Sequence, residues 1–185
     1  MEYQVIRSGR KTLALQVKNG QLIVRAPLKA RDADIKKFVL SNTVWIEKQL
    51  KKAELRAERT AGVIPLTPEE LKALAQRAAQ VIPERVSHYA AIMGVKYNRI
   101  TIRAQRTRWG SCSSKGNMNF NCLLMLSPPE VLDSVVVHEL CHLKQMNHSP
   151  RFYELLLSVY PEYHEWHDWL KQNGDALLAR LPSKN

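Results

Sequence analysis

His138 and His142 stand four residues apart, Glu139 follows the first directly, and His148 comes six residues after the second. No other feature of the chain narrows its fold as much. Two imidazoles spaced i, i+4 meet one ion only if 138–142 is helical, and a third at this distance joins them only if the helix soon stops and the chain turns back. Val131, Leu132, Val135, Val136 and Val137 lead into His138 and make the helix apolar on nearly every side, hence deeply buried. That burial would hold the ligands rigidly and keep bulk water away. A capping box from Ser127 to Glu130 is expected to open the helix. It should close between Gln145 and Asn147, with Asn147 in the left-handed turn.

Three imidazoles leave one position of a tetrahedral zinc open, whereas structural zinc sites are closed and usually cysteine-rich. Glu139 points to nearly the same side as His138, where a carboxylate serves as a base rather than a ligand. The pattern therefore predicts metal-assisted hydrolysis: zinc on His138, His142 and His148, with Glu139 taking a proton from the attacking water and passing it to the leaving group. His164 and His167 lie among Glu162, Glu165 and Asp168, as on a polar helix surface, and are left out of the ligand set. Glu154, Glu162 and Glu165 rank behind His148 as third ligand because its spacing is closer and more regular. Cys112, Cys122 and Cys141 contain no CxxC pair and read as reduced thiols in a cytoplasmic protein. That compartment also suits a chain with no apolar run long enough to span a membrane and no signal-peptide core at its start.

Before the metal motif the chain alternates between two periodicities. Residues 2–26 alternate apolar and polar positions around Asn19-Gly20, a two-residue hairpin signal, and predict a small antiparallel meander. Residues 30–59 then show helical spacing, with Ile35, Phe38, Val39, Trp45, Ile46 and Leu50 on one stripe. Gly62, Pro65 and Pro68 mark a linker, dividing the chain into 1–61 and 62–185. A helix from Thr67 to Met93 follows, kinked or divided by Pro83 and closed by Gly94. Residues 99–106 and 117–124 are strand candidates joined by a glycine-containing loop, and the second is expected to be an edge that pairs with an extended peptide. Two covering helices start near Ser149 and Pro161. The predicted class is α+β: a small sheet and helix, then a core whose metal-binding helix packs on a short sheet.

Charge is unevenly spread. Residues 1–127 hold 23 Lys and Arg against 9 Asp and Glu, while residues 128–185 hold 5 against 8. The basic part is thus not the part that carries the metal motif. Arg103, Arg106, Arg108 and Lys115 cluster around the loop between the two strands, and Asn119 and Asn121 lie on the polar face of the second. These six are the candidate substrate contacts, the cations for a phosphate, a carboxylate or a nucleic-acid backbone.

Arg108-Trp109-Gly110-Ser111-Cys112, Asn121 with two following leucines, Val137 to Leu143, and Asn147-His148-Ser149 with Phe152 together resemble the YgjP-like metallopeptidase family, related to the WLM and SprT-like zincins. Arg25-Ala26-Pro27 and Trp45-Ile46 extend the resemblance over nearly the whole chain. It implies a minimal gluzincin core with zinc on His138, His142 and His148 and Glu139 as base. The ligand spacing also equals that of metzincins, but Gln145 stands where those have glycine and no later methionine turn is visible. Tyr153 replaces an expected tryptophan. The leading expectation is a zinc metallopeptidase acting on peptides or unfolded protein. The family is also linked with nucleotide pyrophosphatase activity, so a UTP-type pyrophosphatase that would add Mg2+ is the alternative. A nucleic-acid-associated protease is the third expectation.

Overall fold

The computed structural model describes residues 1–182. The chain divides into two compact units, Met1–Ala61 and Gly62–Asn185.

In the first unit, β1 (Gln4–Ser8), β2 (Ala14–Lys18) and β3 (Gln21–Pro27) form a sheet in the order β1-β3-β2. Asn19 and Gly20, at φ 51° and 76°, give the β2–β3 hairpin two consecutive positive-φ residues, as a type I′ turn requires. β1 lies parallel to β3, with Gln4 opposite Ile23 and Ser8 opposite Pro27. The sheet is therefore mixed, not the expected antiparallel meander. β3 is the most apolar strand, burying Leu22, Ile23, Val24 and Ala26, and it takes the centre with a partner on each side.

The single helix expected over 30–59 is two, α1 (Asp32–Leu40) and α2 (Thr43–Thr60). Ser41 Oγ and Asn42 Nδ2 both donate to the Phe38 carbonyl, at 3.0 and 2.8 Å, so side chains satisfy the end of α1 and the chain turns. Ile35, Val39 and Ile46 pack on Val24 and Ala26. Trp45 falls at the margin of the stripe and stays 41% exposed.

The second unit opens with α3 (Pro68–Met93). Thr67 and Glu70 form a reciprocal capping box, Gly94 ends the helix at φ 61°, and the helix continues through Pro83 without division. A second sheet contains β4 (Arg99–Arg103), β5 (Gly110–Cys112) and β6 (Asn117–Asn121) in the order β4-β6-β5. β4 runs parallel to β6 and β5 antiparallel to it. The segment between the predicted strands thus carries a strand of its own. β6 is central, so no peptide can add to it, and β5 is an edge. Beyond Asn121 the chain coils into a 3-10 turn, Cys122–Leu126.

Three helices complete the unit: α4 (Pro129–Cys141), α5 (Pro150–Val159) and α6 (Tyr163–Ala179). The expected capping box does not form at α4. Pro128 occupies the cap position, and Ser127 Oγ instead donates to the Leu124 carbonyl at 2.7 Å, closing the preceding turn. The core joins Ala78, Ile82 and Val86 of α3, Met118 and Phe120 of β6, Val136, Val137 and Leu140 of α4, and Phe152 and Leu156 of α5. Each large aliphatic side chain here stabilises the fold by roughly 2 kcal/mol through burial. The fold class is α+β. Among the described residues no helix is long and apolar enough to cross a membrane.

Candidate metal centre

Every residue of α4 from Val131 to Val137 is buried, including Asp133 and Ser134. Arg85 of α3 donates twice to Asp133, Nε to Oδ1 at 2.7 Å and Nη2 to Oδ2 at 2.6 Å, and the Tyr89 hydroxyl adds a third bond at 3.2 Å. This satisfied polar cluster anchors the helix one turn before His138.

The helix stops sooner than its sequence suggests. His142 is the C-terminal cap, and the amides of Leu143 and Lys144 bond back three residues to Leu140 and Cys141, tightening the last turn. Asn147 does not adopt positive φ. His142 Nδ1 lies 3.2 Å from the Gln145 carbonyl, which can only accept, so Nδ1 carries the proton and Nε2 remains a free donor of its lone pair. His138 Nδ1 is held 3.0 Å from the Tyr163 hydroxyl, whose oxygen is 3.3 Å from His167 Nδ1. His138 Nε2 and His148 Nε2 approach to 3.0 Å.

One nitrogen from each of His138, His142 and His148 falls within 4.8 Å of the others. Ligands of a tetrahedral zinc at its usual bond length are about 3.4 Å apart. Three nitrogens with two Nδ1 positions already engaged fit such an ion, and small side-chain adjustments suffice. Phe152, fully buried, stands against all three imidazoles with ring centroids 4.8–5.0 Å away. Burial, with a smaller contribution from His142, His148 and His167, pushes His138 down to about 3; burial also lowers His142. Both shifts favour the neutral imidazole, the form that binds metal.

Glu139 is 6% exposed and abuts the β5 edge. A Cβ at Gly110 would stand 2.6 Å from its Oε1 and 2.7 Å from its Cγ, so only glycine admits the carboxylate here. Burial pushes Glu139 up to about 8, with the Arg108 guanidinium pulling the other way. A bound cation would act in the same direction as Arg108.

A cavity of about 280 Å³ opens beside His138 and Glu139, and Arg108, Trp109, Tyr163 and His167 are among its lining. Of the four predicted cations, only Arg108 reaches it. Arg103 is exposed at the end of β4, and Lys115 is exposed in the turn after β5. Arg106 donates to the carbonyls of Leu181 and Pro182. Asn119 donates to Ser111 Oγ at 3.2 Å. Asn121 is fully buried: its amide donates to the carbonyls of Gln105 and Arg108, at 2.6 and 3.0 Å, and its Oδ1 accepts from the Leu123 amide. It clamps the loop that carries Arg108: both amide hydrogens are spent on that loop, and full burial keeps the side chain from substrate. Gly110 and Tyr163 are not among the site residues that the sequence predicts, and His167, left out of the ligand set, lines the cavity beside Tyr163. For Tyr163 and His167, a four-residue spacing on one helix face is the signal available.

A family model described as YgjP-like, metallopeptidase domain, matches residues 11–71 and 66–173. Over 60 residues the chain is 33% identical to the UTP pyrophosphatase of Escherichia coli (strain K12), covering 32% of this chain and 36% of that protein, so the match spans about a third of that relative's length. Two crystal structures of metallopeptidase zymogens are also similar. Pyrococcus abyssi abylysin is 24% identical, with a TM-score of 0.45 over 49% of this chain and 91% of that one. Methanocaldococcus jannaschii jannalysin is 21% identical, with a TM-score of 0.45 over 50% and 96%.

Proposed function

The chain belongs to the YgjP-like metallopeptidase family, and on that premise we propose that it hydrolyses peptide bonds with a zinc ion held by His138, His142 and His148 and with Glu139 as general base. The carrying observation is the gathering of three imidazole nitrogens within 4.8 Å at the end of a buried helix. The ion would supply Lewis acidity to water and to the scissile carbonyl.

The chain's own residues account for the other roles. An extended peptide adds to the outer side of β5, which among the described strands pairs only with β6. Gly110 lets that strand lie directly against Glu139. Glu139 accepts the proton of the attacking water, the carbon–nitrogen bond breaks, and the same carboxyl returns the proton to the leaving nitrogen. Tyr163 and the Gln145 carbonyl fix the ring orientations of His138 and His142, as partners of metal-ligating histidines do. We also treat 1–61 and 62–185 as separate domains, with the chemistry in the second.

Glu139→Gln tests this reading. The variant should retain one zinc per chain and lose at least about 10²-fold in peptide turnover, the contribution of a positioned base. Wild-type turnover in Glu139→Gln would remove Glu139 from the chemistry. The identity shared with the UTP pyrophosphatase favours one second reading, phosphoryl hydrolysis of a nucleoside triphosphate presented with Mg2+. UTP consumed while peptides stay intact would put that reading first.

A further inference from the structure

The cavity beside Glu139 is divided by polarity. Val135, Leu170, Tyr163 and Ser134 form a buried floor, and Arg108 and Lys171 stand exposed at the rim. Lys171 is already paired with Asp168 at 2.8 Å. The guanidinium of Arg108 makes no hydrogen bond to any described residue, although the Asn121 clamp on its own carbonyl fixes the backbone from which it projects. It pulls on Glu139 electrostatically without a hydrogen bond; a guanidinium fork with no hydrogen-bond partner among the described residues therefore overlooks a largely apolar floor.

Size and layout select the ligand. About 280 Å³ lies at the lower end of small-molecule pockets, roughly 300–1,000 Å³, and suits one side chain rather than a nucleoside triphosphate. The side chain that reaches the floor is apolar. A carboxylate meeting Arg108 at the rim then belongs to the backbone of that residue, and a backbone carboxylate exists only at the end of a chain.

We propose that this cavity receives the apolar C-terminal residue of a peptide and that Arg108 binds its terminal carboxylate, making the enzyme one that removes apolar residues from free C-termini. The assignment rests on the peptidase reading for the reaction, but the binding step can be measured without turnover.

The experiment uses two readouts on the full chain loaded with zinc. Acetyl-leucine and acetyl-leucinamide are titrated into wild type, Arg108→Gln and Lys72→Gln, the last an exposed residue outside the cavity lining. In parallel, acetyl-Ala-Ala-Leu is compared with its amide in kcat/KM. Wild type should prefer the free acid about tenfold in both readouts, the worth of one charge-assisted hydrogen bond at an exposed rim. Arg108→Gln should bring both ratios near one, and Lys72→Gln should keep them. Ratios cancel any effect of Arg108 on Glu139 itself. A third pair, acetyl-Ala-Ala-Glu amide and its Gln counterpart, separates a side-chain carboxylate from a terminal one and should show no preference. Equal affinity for acid and amide in wild type, a preference that survives Arg108→Gln, or a preference for the Glu amide overturns the proposal. Binding preference dependent on Arg108 with no peptide cleaved would support the subsite and sink the peptidase reading alone.

Discussion

Alanine at Gly110 should disable the site with little effect on the fold. The new Cβ would lie 2.6 Å from Glu139 Oε1, 2.7 Å from Cγ and 2.9 Å from Cδ. Unbonded carbons at their optimum sit about 3.5–4.0 Å apart, so the side chain has to retreat by about 1 Å. Gly110 does not have positive φ, so alanine adds no backbone strain and the collision is the whole perturbation. The carboxylate is the mobile partner, because α4 is packed on all sides and the strand is held through β6. A displacement of about 1 Å at a reacting group costs on the order of 10²-fold in rate, whereas overpacking a site that relaxes costs about 1 kcal/mol of stability. Gly110→Ala should therefore lower kcat/KM by about 10²-fold, keep one zinc per chain, and melt within a few degrees of wild type. Peptide kinetics, zinc content and a thermal melt on one preparation check this. Unchanged kcat/KM would refute the reasoning, since it would mean that Glu139 either is not held by the strand or is not needed.

Two further substitutions separate binding of the ion from integrity of the fold. Tyr163→Phe removes the hydroxyl between His138 and His167 and should weaken zinc binding about 10–100-fold; competition with a chelator would read this, and an unchanged affinity would mean that the hydroxyl does not orient the ring. Asn121→Ala strands the Leu123 amide and two carbonyls and should cost about 2–4 kcal/mol of unfolding free energy in urea, where a substrate contact would have cost none.

What the sequence makes legible is local. The histidine spacing depends only on helix geometry, and the Thr67 and Asn19-Gly20 signals sit within four residues, so each acts where it is written. Pairing is not local. Alternation shows that residues 4–8 form a strand, but nothing in those five residues states that their partner is β3 and parallel. β5 has three residues, too few for any period to show, and missing it made the central strand β6 look like an edge. Ser127 had the spacing of a cap, yet an adjacent turn claimed its hydroxyl. The same limit holds in the site. Asn121 looked like a ligand contact because amides on a strand face imply solvent, and only tertiary packing shows that face covered. Gly110 and Tyr163 matter through atoms that other elements bring to them.

The order β4-β6-β5 also grades the sheet in stability. β6 has a partner on both sides and a buried face, so its amides should exchange with solvent only when the whole unit unfolds. β5 is joined by three residues, flanked by single bonds from the Asn121 amide to the Trp109 carbonyl and from the Ser113 amide to the Asn117 carbonyl. Hydrogen exchange along 109–113 should report an opening free energy of its own, smaller than the global one. Such openings are excursions from a folded state in which β5 stays paired with β6, and they should leave the helix beneath the strand folded.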